Sequence, residues 1–140
     1  MQQAFDNLSP GGIFESLDLM ATWYCDDGTL DPNGALSRWS RDMNEASEIL
    51  GRPVSVAHNL RRWYEEVGFV DVHEQVFKMP TNGWPADPHW KEMGKLWEQN
   101  LLEGLSAFCS GLFSKAFGRT ADEIMVSEGV LACVEKVDVG

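Results

Sequence analysis

The sequence predicts an incomplete α/β fold: about two strands of a sheet, followed by a helix-rich C-terminal part. Three observations predict it. "LSPGGIFESLDL", residues 8–19, sets a Pro-Gly-Gly turn before an apolar run. "GFVDVHEQVFKM", residues 68–79, alternates in polarity directly after a glycine placed to close a helix. From Asp87 onward, apolar residues recur at three- and four-residue spacing. Alternation is the period of a strand, and spacing near 3.6 is that of a helix.

A chain of 140 residues has the length of one ordinary domain and can bury well over half of its unfolded surface. Apolar residues make up 44% of it, with six Trp and seven Phe, which fits a packed core and not disorder. The net charge of −11 argues against nonspecific nucleic-acid binding and against an anionic membrane surface, since both need clustered Lys and Arg. Cys25, Cys109 and Cys133 lie far apart without a CxxC spacing. They read as thiols of a reducing compartment, with no metal site among them. The N-terminal "MQQAFDN" lacks the basic and apolar regions of a secretion signal. No apolar run reaches the ~18 residues of a membrane span. The expectation is a soluble protein of the cytoplasm or nucleus.

In order along the chain, "AFDNL" reads as the last turn of a helix, because residues 1–8 are too few to form one alone. Ser9-Pro10-Gly11-Gly12 breaks it: Pro presets φ, and Gly admits positive φ. "IFESLDL" follows as the first strand, carrying Glu15 and Asp18 within an apolar run. Residues 20–34 form a loop with turns at Asp27-Gly28 and Asp31-Pro32. A helix from Pro32 or Gly34 to Leu50 buries the stripe Leu36, Trp39, Met43, Ala46 and Leu50, with Asp31 as cap and Gly51 as stop. A second helix spans 57–67, with Leu60, Trp63, Tyr64 and Val67 on one face. "FVDVHEQVFKM" is the second strand, and the helix–strand succession suits a βαβ unit. Asp87 and Pro88 open a long helix to Phe117 with the stripe Trp90, Met93, Trp97, Leu101, Leu105, Phe108 and Leu112. Gly104 and Gly111 mark where it bends or breaks. Thr120 and Glu123 form a capping box for a last helix to about Cys133. The whole reads as a single domain over 1–140: a strand-helix-strand sheet part over 4–79 and a helical cover over 87–135.

Several residues carry chemistry in pattern, each with a plainer reading beside it. Glu15 and Asp18, three apart, point to opposite faces of a strand and form no carboxylate pair. Asp18 falls near the carboxyl end of that strand, where open α/β sheets bind ligands, or else it caps a turn. Asp26 and Asp27 suit a solvated turn better than a calcium loop, because no further acid follows at the right spacing. His58, His73 and His89 have no partner one helical turn away. Cys109 lies beside its helix's apolar stripe and reads as core. Trp84, Trp90 and Trp97 either line an apolar substrate pocket or pack between helix and sheet. No GxGxxG and no P-loop supplies a phosphate cradle.

Taken together, the segments resemble a known family. "AFDNLSPGGIFESLDL", with Glu15 and Asp18, is similar to the "L-x-PGG-W-x-E-x-x-D" segment of class I S-adenosylmethionine-dependent methyltransferases of the fungal LaeA-like group. "DDGTL", "LGRPVSVAHNLRRWYEEVGFVDVHEQVFKMPTNGWPADP" and "KEMGKLWEQNLLEGLSAF" continue the match in order, over residues 4–126. The resemblance implies a partial Rossmann-like methyltransferase fold, with the Pro-Gly-Gly turn before a fifth strand and residues 68–80 as a sixth. It also implies S-adenosylmethionine as cofactor. The glycine-rich loop and acidic residue that hold the cofactor in that family belong to a preceding half. The chain thus reads as a C-terminal part without its cofactor-binding half, binding no cofactor alone. The resemblance names Asp18 as a substrate-side candidate; Trp23 and Trp84 join it as residues to test there. It names no catalytic residue. The alternative is a non-catalytic module that associates with itself or a protein partner through apolar faces left uncovered. A further reading is a small helical ligand-binding domain built on the tryptophans.

Overall fold

The computed structural model describes residues 1–26 and 28–125. Asp27, and the part of the last expected helix beyond residue 125, with Cys133, lie outside the described residues. The chain divides into two compact units. One combines Met1–Ala21 with Ser55–Val76, and the other combines Thr22–Val54 with the described residues from Phe77 to Met125.

In the first unit, α1 spans Gln2–Asn7. Six residues are too few for a helix to stand alone in water, so its persistence needs a tertiary partner. Phe5 supplies one, meeting the edge of Phe69 at a centroid distance of 5.1 Å. Phe5 also packs on Gly68, where a Cβ would lie 3.0 Å from its ring. The chain then turns at Ser9–Gly12. Gly12 N–H donates to the Ser9 carbonyl at 2.8 Å, and Gly11 takes φ 81°. Pro followed by a positive-φ glycine is the chemistry of a type II turn. A 3-10 turn at Ala57–Asn59 leads into α3, Leu60–Val67. Gly68 closes α3 at φ 117°, and Phe69 N–H returns to the Tyr64 carbonyl at 3.1 Å. Leu60, Trp63, Tyr64 and Val67 share the half-buried face, as their spacing predicts. Arg61 and Arg62 pair with Glu65 and Glu66 one turn on. Phe14, Tyr64 and Phe69 form a ring cluster with centroids 5.5–6.0 Å apart, and the Tyr64 hydroxyl donates to Ser16 Oγ at 2.8 Å.

The α/β expectation is corrected here. Among the described residues there is no β-strand, so neither "IFESLDL" nor "FVDVHEQVFKM" is one, and no partial Rossmann-like sheet is present. Among the described residues, no backbone–backbone hydrogen bond reaches residues 13–18 or 70–79. Ile13 and Leu17 are each 91% exposed, and Val70 is 83% exposed. The physical reason is that alternation marks only which side chains would share a face. A strand exists when a neighbour completes its ladder, and two candidate segments are fewer than a stable sheet requires.

In the second unit, α2 spans Ala35–Ile49 and α4 spans Pro88–Phe117. Asp31 does not cap α2 as expected. Its carboxylate accepts from Asn33 N–H at 2.8 Å in a turn ahead of the helix, and Gly34 holds the cap position. At the far end Arg52 N–H reaches the Ser47 carbonyl and Gly51 N–H reaches the Glu48 carbonyl, both at 2.9 Å. These two bonds are a Schellman closure. The stripe of α2 packs as predicted over Leu36, Trp39, Met43 and Ala46, with Trp39 and Ala46 buried, whereas Leu50 is the half-buried residue that closes the helix outside the core.

Asp87 caps α4, accepting from His89 N–H at 2.9 Å and Trp90 N–H at 3.2 Å, with Pro88 at the first helical position. The helix runs unbroken through Gly104 and Gly111. Its buried residues are Gly94, Leu105, Cys109 and Phe113, whereas Phe108 is 55% exposed. The predicted stripe is therefore buried at Leu105, half-buried at Met93, Trp97, Leu101 and Leu112, and exposed at Trp90 and Phe108, while Cys109 and Phe113 take fully buried positions beside it. Trp39, Ala46, Leu105, Cys109, Phe113 and Ile124 form the core of this unit. After α4, Arg119 reaches Asp42 of α2 at 2.5 Å and lays its guanidinium over Phe113 and Phe117, at 5.1 and 4.7 Å. Residues 121–125 are helical. Their capping box is as predicted: Thr120 N–H donates to Glu123 Oε2 at 2.8 Å, and Glu123 N–H donates to Thr120 Oγ1 at 3.3 Å.

Candidate functional site

The three candidate residues occupy different environments. Asp18 belongs to the first unit, exposed in the irregular stretch after Phe14, and its Oδ1 accepts from Leu19 N–H at 2.8 Å. That bond stays within neighbouring residues of an extended, irregular stretch. Trp23 belongs to the second unit and is half-buried, its ring 6.4 Å from that of Trp39. It packs against the α2–α4 core. Trp84, in the loop before α4, is 53% exposed, and its backbone N–H donates to Asn82 Oδ1 at 3.0 Å. Trp23 and Trp84 both belong to the second unit.

The N-terminal half of α4 carries an apolar groove of about 160 Å3, lined by Met79, Met93, Leu96, Trp97 and Asn100. Its wall at Met79 is held by a close approach that no sequence pattern announces. Gly94 is buried against the loop at 80–82, where a Cβ would stand 1.9 Å from the Asn82 carbonyl oxygen. Of the tryptophans proposed to line a pocket, Trp97 does so; Trp90 stacks edge-on with His89 at 5.3 Å. Met79 and Leu96 were not legible as lining residues, since no spacing rule links a loop residue to a helix face.

The polar groups around these features are engaged in structure. Lys78 Nζ pairs with Asp26 at 2.7 Å, both side chains being largely exposed. His58 is bonded to the neighbouring Asn59 amide at 2.8 Å. Cys109 accepts the Trp39 Nε1–H at 3.2 Å within the core, as its place near the stripe suggests. Cys25 Sγ lies 3.3 Å from Thr29 Oγ1. Glu123 has its carboxyl held below the ordinary range, first by the Thr120 backbone N–H, then by the Thr120 hydroxyl, with a smaller pull from Arg119. That is the signature of a helix cap. Among the described residues, no group of three His, Cys, Asp or Glu could hold a metal ion. No helix there is long and apolar enough to cross a membrane.

An adenosyl cofactor needs a glycine-rich turn leading from a strand into a helix N-terminus. The described residues do not fit that requirement. The only paired glycines, Gly11 and Gly12, lead into the irregular stretch 13–20, and the N-terminus of α4 is filled by its own Asp87.

Comparison with known proteins supplies what the geometry does not. Over 126 residues the chain is 35% identical to the methyltransferase pytC of Aspergillus terreus, covering 90% of this chain and 39% of that protein. It is 40% identical over 123 residues to a protein named a probable methyltransferase in Emericella nidulans, covering 87% and 38%. It is 36% identical over 107 residues to a secondary metabolism regulator of Cochliobolus heterostrophus, covering 76% and 35%. No protein-family model matches the chain, and no solved structure matches it. The chain spans about two fifths of the length of the curated relatives it matches. Over most of its own length it is therefore similar to one part of these fungal methyltransferases and secondary metabolism regulators.

Proposed function

We propose that these 140 residues are the counterpart of one part of an S-adenosylmethionine-dependent methyltransferase-like protein, and that taken alone they neither bind the cofactor nor transfer a methyl group. The observation that carries the proposal is the lack, among the described residues, of a glycine-rich turn leading from a strand into a helix. Asp18, Trp23 and Trp84 are the substrate-side residues of this reading. Asp18 and Trp84 are open to solvent, whereas Trp23 packs on the core, so its replacement also acts through stability. Isothermal titration of the 140-residue chain with S-adenosylmethionine tests the proposal. The expected result is no saturable heat, and micromolar binding overturns it.

A second reading, association with itself or a protein partner, is favoured by the uncovered apolar residues Ile13, Leu17 and Val70 in a unit with no fully buried side chain. Apolar side chains beside unpaired backbone are what association covers. Sedimentation at high micromolar concentration, with Leu17→Lys as comparison, tests self-association. A concentration-dependent shift lost in the variant supports it; a monomer throughout removes it.

A further inference from the structure

We draw no further inference here: the strongest candidate, the open apolar groove along the N-terminal half of α4 between Met79, Met93, Leu96, Trp97 and Asn100, carries nothing because nothing in the structure shows what covers it.

Discussion

The indole N–H of Trp39 donates to the Cys109 sulfur across 3.2 Å, joining α2 to α4 inside the core of the second unit. Seventy residues separate the two in sequence. Each lies on its own helix's apolar face, and the bond locks the register of one helix on the other. Trp39→Ala removes both the contact and most of the packing around it, and is expected to destabilise the unit by about 3–5 kcal/mol. Urea unfolding followed by circular dichroism reads this loss. Trp39→Phe keeps a ring but no donor, so it should fall well short of that value. Equal losses in the two variants would show that the N–H···S bond dominates.

Gly94 and Gly111 sit in the same helix with opposite surroundings. A Cβ at 94 meets the Asn82 carbonyl, whereas a Cβ at 111 meets nothing within 4 Å. Gly111→Ala should therefore stabilise by about 0.5–1 kcal/mol through helix propensity. Gly94→Ala gains the same propensity but must displace the loop at 80–82, an overpacking that costs about 1–3 kcal/mol. Opposite shifts in melting temperature are the expected pair of results. Equal shifts would mean that the loop does not rest on α4.

Arg119 answers Asp42 with charge and two phenylalanines with its planar face. Both charged side chains are about one-third exposed, at 30% and 31%, so solvent screens the pair. Arg119→Lys retains the charge and loses the stacking, for an expected cost of roughly 1 kcal/mol or less. A double-mutant cycle of Arg119→Gln with Asp42→Asn isolates the ionic part, which should shrink as salt is raised.

Glu123 offers a pH signature. Its carboxyl is held below the ordinary range in the folded chain, so the folded state favours its ionised form. The resulting stability is present above the ordinary carboxylate pKa and is lost as pH falls through the lowered folded value. Nuclear magnetic resonance titration of the Glu123 side chain should give a midpoint below that of an unfolded glutamate. Thr120→Ala, which removes the hydroxyl but not the backbone donor, should move the midpoint only part of the way back.

Much of this was legible from local chemistry. The Asp87-Pro88 start of α4, the Gly51 and Gly68 closures, the Pro-Gly-Gly turn and the Thr120–Glu123 box each satisfy backbone groups within a few residues. Their spacing is enough to find them. Asp31 shows the limit of such rules: the right residue type stood near the helix start, and its carboxylate closed the preceding turn instead. The α4 stripe shows another limit. Apolar residues occur on more than one face of that helix, and only packing against α2 selected Leu105, Cys109 and Phe113 over Phe108.

The candidate site was less legible than the helices. Asp18 and Trp84 came from motif and composition, and the structure leaves both at the surface. The groove joins a methionine from a loop to one helix face and depends on the absent side chain of Gly94. No periodicity expresses that relation. The family relationship, in contrast, was written in the ordered segments of the chain.

By itself, then, the sequence determined the main helices, most of their caps and turns, and the resemblance to methyltransferases, because each rests on neighbours in the chain or on residue order. Only the tertiary structure decided that residues 13–19 and 69–79 form no strands, which face of α4 is buried, and that Arg119 closes on Asp42. Those outcomes depend on partners far along the chain: a ladder needs a second backbone, and a helix face is buried only where another surface fits it.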